Sequence, residues 1–361
     1  MTARPAPSRR MAGAASVATL LVGLCSHQVG VAARNGDAAR AFLVQELGLT
    51  VAEVRRVDAG GVVTKSMEPA DRREVATQGV VQVGIDAATY LERLTDIVAF
   101  KRHEAVQQIG VFSEVPTAAD LAGLTLERGD IRELRSCRVG DCGLKLSADA
   151  IERFEREVRW GSPEAEQQAT ALLRDVLARY VAEYRRQGDA AAMRYHAATI
   201  PVDAAAEFHA LLTPDDHLLE QLPALTTYLR HYPTRNVEGV RDFIYWSREK
   251  AGPSPVVSIT HVIMAPGAKG SAVEYAALSR QIYGSRYFDA SMGLTLLLPD
   301  TSTESPSTFV AYLNRSRVDV FSGLFGGIVR RTVRSRVRSG MAESLARVRI
   351  AMQRPVPVEA R

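Results

Sequence analysis

The periodicity of apolar residues changes twice along this chain, and this change most constrains the fold. Strand-like segments come first, a long helical stretch from about Ala148 to Tyr232 follows, and strand-like segments then return. The strand-like segments are Gly61–Met67, Glu74–Val83, Ala105–Phe112, Val256–Met264, Ala277–Leu298 and Phe309–Phe321. The clearest helical segments are Asp37–Leu47, Asp86–Phe100 and Glu164–Gln187. Strands and helices grouped in this way predict an α+β fold with an antiparallel sheet.

The segment from Ile328 to Met352 is predicted to be one long amphipathic helix. Its apolar stripe is Val329, Val333, Val337, Met341, Leu345, Val348 and Met352, and arginines occupy its other faces. From Val329 to Met352 such a helix is about 36 Å long, enough to cross a sheet. Because it follows strands that need cover, we expect it to close the core with its arginines in solvent. A basic amphipathic helix can also lie on an anionic membrane, so weak contact with a membrane surface is a further expectation.

This order of segments resembles the START-like, or helix-grip, superfamily. Glu74–Phe112 is similar to the first half of such domains, with a strand, Asp86, a helix through Thr95-Asp96-Ile97 and Phe100, and a second strand. Ile328–Met352 resembles their closing helix, and the helical middle departs from the pattern as an insertion. The resemblance implies a curved antiparallel sheet gripped by the C-terminal helix. It also implies a hydrophobic, lipid-like or polyketide-like ligand held between them.

The first 33 residues are typical of a secretion signal. Three arginines and no acidic residue accompany the apolar run Met11–Cys25, which is shorter than the roughly 20 residues of a membrane-spanning helix. Small residues at Val31-Ala32-Ala33 predict cleavage near Arg34, and therefore a periplasmic or secreted protein. A lipoprotein anchored through Cys25 is the alternative, but Leu24 stands where lipid attachment favours a small residue.

The same patterns predict five divisions of the chain. They are residues 1–33 (signal), 34–115 (first part of the START-like domain), 116–240 (mostly helical insertion with a Cys137–Cys142 hairpin), 241–353 (second part with the closing helix) and 354–361 (flexible tail).

The charge balance argues against nucleic acid as a partner. The chain has 45 basic and 41 acidic residues, and three of the basic ones lie in the signal. The remainder therefore has a net charge near +1 and lacks the overall positive field that attracts phosphates.

Cys137 and Cys142 are predicted to form a disulfide. Gly140-Asp141 between them is typical of a tight turn that brings the two thiols within bonding range, and an oxidising compartment favours the bond. A structural zinc site is the alternative, but it needs four ligands and the sequence offers no other suitable set. We expect neither a metal nor a cofactor.

Strand alternation identifies four candidate ligand-binding residues: His261, Arg286, Tyr312 and Asn314. Each falls on the more apolar face of its predicted strand, so each is expected to point inward and line a cavity. Two alternatives stay open. These side chains could form a buried hydrogen-bonded network without a ligand, or Arg286 could pair with Asp289 at a rim.

Two classes of function follow. The first is an exported binding protein that holds a hydrophobic ligand between the sheet and the final helix. The second is an exported hydrolase or cyclase with His261 as general base and Asn314 or Tyr312 orienting the substrate. The nearest catalytic motif, Ser247-Arg248-Glu249-Lys250, matches S-x-x-K but lacks the elements that accompany it in serine enzymes, and we interpret it as the start of a surface helix. Binding is therefore favoured, and no catalytic residue is assigned.

Overall fold

An eight-stranded antiparallel sheet organises the protein. The computed structural model describes residues 38–213, 216–319 and 326–353. The strands of the sheet are β1 (Val63–Ser66), β2 (Glu74–Val83), β3 (Val106–Val111), β6 (Arg241–Glu249), β7 (Val256–Pro266), β8 (Tyr275–Gly284), β9 (Phe288–Pro299) and β10 (Thr308–Val318). Their spatial order is β1-β2-β10-β9-β8-β7-β6-β3. Two short strands, β4 (Arg194–Tyr195) and β5 (Val202–Asp203), pair separately.

In the sheet an early strand, β2, pairs with the last strand, β10. Strands β6 to β10 run as consecutive antiparallel neighbours, and β2 pairs with the last of them over Glu74–Val83. Strand β3 pairs with β6 at the opposite edge. The chain therefore crosses the sheet between β2 and β3, and helices make that crossing.

Helices cover both faces of the sheet. In chain order they are α1 (38–45), α2 (Val51–Asp58), α3 (Ala87–Thr95), α4 (Ile97–Phe100), α5 (Arg128–Ser136), α6 (Ala148–Glu157), α7 (Ala165–Gln187), α8 (Ala204–Leu212), α9 (Asp216–Leu219), α10 (Pro223–His231) and α11 (Gly326–Gln353), with short 3-10 turns at Ala118–Leu121 and Gly188–Ala191. Buried side chains of α3 and α11 form one cluster with the sheet. Side chains of α1, α2, α5 to α8 and α10 form two further clusters with its opposite face. We call these the α11 face and the insertion face.

Local signals explain several element boundaries. The carboxylate of Asp86 accepts a hydrogen bond from the Thr89 amide at 2.7 Å, which caps the start of α3. The predicted helix Asp86–Phe100 is divided at Asp96, because its side chain caps a new start by accepting from the Ala99 amide at 3.1 Å. Helix α7 ends at Gly188, whose φ of 58° is strained for other residues.

The final strands also differ from the prediction in detail. The segment predicted as Ala277–Leu298 forms two strands, β8 and β9, joined through Tyr287 with a positive φ of 62°. Ser247-Arg248-Glu249 does not start a helix: it lies in β6, paired with Ser258, Val257 and Val256 of β7. Ser247 and Arg248 therefore point to opposite faces of the sheet, and the helical spacing that S-x-x-K chemistry requires is absent at these residues.

The predicted disulfide is confirmed: Cys137 and Cys142 are bonded, with their Cα atoms 4.3 Å apart. The turn lies one residue earlier than expected, because Arg138 pairs with Asp141 and leaves Val139 and Gly140 at its tip. Gly140 has a φ of 86°, which a glycine adopts without strain.

The predicted signal, cleavage site and C-terminal tail lie outside the described residues. Within the parts of the chain that the structure describes, no helix has both the length and the apolar composition needed to cross a bilayer.

Candidate functional site

The central strands carry polar side chains on the α11 face. Val262, Leu297 and Val310 belong to the α11-face cluster. Side chains alternate along a strand, so residues two or four positions from these, and their paired residues on neighbouring strands, lie on the same face. We call this set the polar floor: Ser258, Thr260, Ser279, Gln281, Ser291, Thr295, Tyr312, Asn314 and Ser316. The opposite face of the same strands carries leucines and isoleucines packed under the insertion helices.

The polar floor is partly open to solvent. Ser279, Gln281, Thr295, Tyr312 and Asn314 are half-buried, although they lie in the middle of an eight-stranded sheet. On the insertion face of the same strands Leu278, Leu294, Leu296 and Leu313 are at most 1% exposed. These leucines are therefore covered by the insertion helices, whereas the polar floor beside α11 stays partly open to solvent.

Some floor residues hydrogen-bond to one another or to backbone. Gln281 Nε2 donates to Ser258 Oγ at 3.0 Å, Asn314 Nδ2 donates to the Met292 carbonyl at 3.0 Å, and the Ser291 and Ser316 hydroxyls are 2.8 Å apart. Three floor hydroxyls, those of Thr260, Ser279 and Thr295, make no hydrogen bond to another described residue. Thr260 is buried, whereas Ser279 and Thr295 are half-buried. Beside Asn314, the fully buried Thr77 Oγ1 also lacks a partner among the described residues.

Tyr312 lies across the floor rather than standing upright from its strand. A Cβ atom placed on Gly293 of the neighbouring strand would lie 2.7 Å from Tyr312 Cε2 and 2.8 Å from Cζ. Only a glycine allows the ring to lie this close to the backbone. Burial raises the pKa of the Tyr312 hydroxyl, so it is a neutral donor and acceptor at physiological pH.

A charged pair borders the polar floor at β6. Lys101 Nζ lies 2.5 Å from Glu249 Oε1 and 3.3 Å from the Tyr245 hydroxyl, and Ser247 Oγ donates to the same carboxylate oxygen at 2.6 Å. Burial alone would raise the pKa of Glu249, but the Lys101 ammonium outweighs it and lowers that pKa. Lysine and glutamate are therefore both charged and mutually neutralised.

Helix α11 packs directly on β2, the second strand of the sheet. A Cβ on Gly79 of β2 would lie 2.5 Å from Leu345 Cδ1 and 3.1 Å from Met341 Sδ. Arg93 of α3 donates to the Ala351 and Met352 carbonyls at 3.1 and 3.0 Å, which ties α3 to the C-terminal end of α11. Of the predicted apolar stripe, Met341, Leu345 and Met352 are buried, Val333, Val337 and Val348 are half-buried, and the Val329 side chain is outside the described set.

His261 lies on the insertion face, across the sheet from the polar floor. Its ring is fully buried, with Nδ1 3.0 Å from the Tyr184 hydroxyl and Nε2 3.0 Å from Asp242 Oδ2. Burial lowers the pKa of His261, so the ring is neutral. The neutral ring then donates from Nε2 to Asp242 and accepts from Tyr184 at Nδ1.

A cavity of about 170 Å³ adjoins His261. Its lining comes from α7, α10, β7 and β8 and is Tyr184, Gln187, Asp189, Ala190, Tyr228, Leu229, Arg230, Tyr232, His261, Ile263 and Arg280. Arg280 is buried here, paired with Asp189 at 2.6 Å and stacked on Phe208 with its guanidinium carbon 4.0 Å from the ring centre. The cavity wall thus contains several aromatic rings, His261 with both ring nitrogens partnered, and the Arg280–Asp189 pair.

Arg286 belongs neither to the polar floor nor to the cavity beside His261, because it forms ion pairs with α5. Its Nη2 lies 2.6 Å from Asp130 Oδ1, and its Nη1 contacts Glu133, both on α5. Asp289, which the sequence offered as its rim partner, instead contacts Lys145. Arg286 therefore fastens the insertion to the sheet.

Of the four candidate residues, the structure brings Tyr312 and Asn314 together and places His261 and Arg286 elsewhere. Ser279, Thr295, Lys101 and Tyr245 were not singled out from the sequence. A sequence pattern that could have identified such a polar face is the spacing of polar residues two positions apart in a strand-like segment, as at Ser279 and Gln281.

No metal site is evident: within residues 38–213, 216–319 and 326–353, no group of three or more His, Cys, Asp or Glu side chains is arranged to hold an ion. Comparison of the chain with protein-family models, with curated proteins and with solved structures finds no match.

Proposed function

We propose that this chain is an exported binding protein that holds a small lipid-like molecule between its sheet and α11. The observation that carries the proposal is the half-buried polar floor in the middle of the sheet, opposite leucines that are at most 1% exposed. Accessible polar groups beside an apolar cluster are the combination by which ligand sites orient and hold a bound molecule.

The arrangement of the strands supports this proposal. The first long strand, β2, pairs with the last strand, β10, and α11 lies along β2 at that join. An antiparallel sheet with a C-terminal helix packed on it agrees with the START-like resemblance, which implies a ligand held between the two. At this join the buried side chains of Val81, Leu297 and Val310 form one cluster with Leu345, which fixes α11 beside the floor.

The Cys137–Cys142 disulfide supports the exported part of the proposal, because such bonds persist in oxidising compartments. Intact-mass measurement on protein from the cell envelope or medium tests it. A chain beginning near Arg34 is expected, whereas a mass that includes residues 1–33 or a lipid on Cys25 would contradict it.

Native mass spectrometry before and after solvent extraction tests ligand binding. Thr295→Trp places a large side chain on the floor and should abolish binding of co-purified or added amphiphile. Thr199→Trp is the matched control, since Thr199 is exposed and far from the floor in the chain. Equal retention of the ligand by both variants would refute a site on the α11 face.

A second candidate function is an exported hydrolase or cyclase that uses His261. The observation in its favour is the Asp242–His261–Tyr184 chain beside the 170 Å³ cavity. Both ring nitrogens already have partners, so a proton could reach His261 only from Tyr184 or after that bond opens. Turnover of a small ester that is lost in His261→Asn, with binding to the α11 face unaffected, would favour this function.

A further inference from the structure

We infer, on the basis of the proposed binding function, that the bound molecule presents a neutral, hydroxyl-rich head group to the polar floor. A glycoside or another polyol-headed amphiphile fits this description. A fatty acid or a wholly apolar lipid does not.

The first argument is the charge of the floor. None of its nine residues is charged, and eight of them carry hydroxyls or a primary amide on a short side chain. Lys101, a cation at its border, is already paired with Glu249. A carboxylate or phosphate placed on the described floor would therefore lose its hydration without gaining a counter-charge from these residues.

The second argument is the supply of hydrogen-bonding groups. Ser279 and Thr295 are half-buried and have hydroxyls without a partner among the described residues. A serine or threonine hydroxyl both donates and accepts, as does a sugar or polyol hydroxyl. An alkyl chain laid over these groups would leave them dry and unpaired, which weakens binding by about tenfold for each group.

The third argument is the aromatic side chain within the floor. Tyr312 lies flat over Gly293, next to Ser279 across β8 and β9. A flat ring beside short hydroxyl side chains offers an apolar plate with hydrogen-bonding groups around it, which matches the apolar faces and polar edges of a cyclic polyol. Strand spacing of about 4.8 Å places such groups on three adjacent strands within reach of one head group.

The remaining, apolar part of the ligand has a separate surface. Phe100 and Phe243 are half-buried members of the α11-face cluster, and Tyr245 connects them to the floor at β6. An amphiphile can therefore lay its chain along this rim while its head group occupies the floor.

Isothermal titration with four probes of one chain length tests the inference: dodecyl glucoside, dodecanol, dodecanoate and dodecyltrimethylammonium, each below its micelle concentration. Dodecyl glucoside should bind at least tenfold more tightly than the other three. Thr295→Val keeps the side-chain shape and should weaken glucoside binding about tenfold while leaving dodecanol binding unchanged. Ser279→Ala should act in the same direction, and Thr199→Val should change neither.

The outcomes separate the two proposals. Equal affinity for glucoside and dodecanol, or tightest binding of either charged probe, would overturn the polyol inference while leaving a ligand site on the α11 face. Binding of none of the probes, or binding that Thr295→Trp does not affect, would overturn the site itself. Circular dichroism of each variant confirms that the fold is retained.

Discussion

Replacing Gly293 by alanine is expected to displace Tyr312 from the floor. The new Cβ would lie 2.7 Å from Tyr312 Cε2 and 2.8 Å from Cζ, whereas carbon atoms pack without repulsion from about 3.5 Å. The ring must therefore move by most of an ångström. Overpacking of this kind costs about 1–3 kcal/mol. We expect the lower part of that range, because Tyr312 is half-buried and its ring can move toward solvent.

A double-mutant cycle measures this contact. Urea unfolding of Gly293→Ala, Tyr312→Ala and the double variant should show that most of the cost of Gly293→Ala disappears when the ring is absent. Gly84→Ala is the control, because no heavy atom lies within 4 Å of its added Cβ. A coupling below about 0.5 kcal/mol, the scatter expected for independent sites, would show that Tyr312 does not lie over Gly293.

Three further predictions follow from the packing and the ionisation of particular groups. Leu345→Ala should lower the free energy of unfolding by about 2–5 kcal/mol, since Leu345 is buried against β2, and chemical denaturation measures this loss. Burial lowers the pKa of His261 in the folded state, so below its unfolded pKa of about 6.5 the unfolded chain binds the extra proton and stability should fall as the pH falls. Urea midpoints between pH 8 and 5 should show this slope, and His261→Phe should reduce it to the part that remains from His103, whose pKa burial also lowers. Alkylation without reductant should label neither Cys137 nor Cys142 in exported protein, and labelling of both would contradict the bridge.

Much of the secondary structure was predictable from local patterns. The helix predicted at Glu164–Gln187 is observed at Ala165–Gln187, and the strand predicted at Glu74–Val83 is observed with those bounds. These elements follow from spacing and from end signals such as Gly188, which act within a few residues. The disulfide was predictable for the same reason, because both cysteines belong to one turn.

The location of the candidate site was decided by tertiary structure. Alternation groups Met292, Leu294 and Leu296 on one face of β9, and from the sequence this apolar face is expected to point inward and line the ligand cavity. In the structure it packs against the insertion helices, and the polar face with Thr295 turns toward α11.

Two physical reasons explain why sequence reasoning could not assign these faces. Alternation shows which side chains share a face of a strand, but not which helices will cover that face, and here helices cover both. Parity is also carried along the chain only while the strand is regular, and it is interrupted by the register shift after Ile259 and by the turn through Tyr287. Arg286 lies just before that turn and pairs with α5 on the insertion face. Its partners are distant in sequence, so only the packing of the helices on the sheet decides which face its side chain joins.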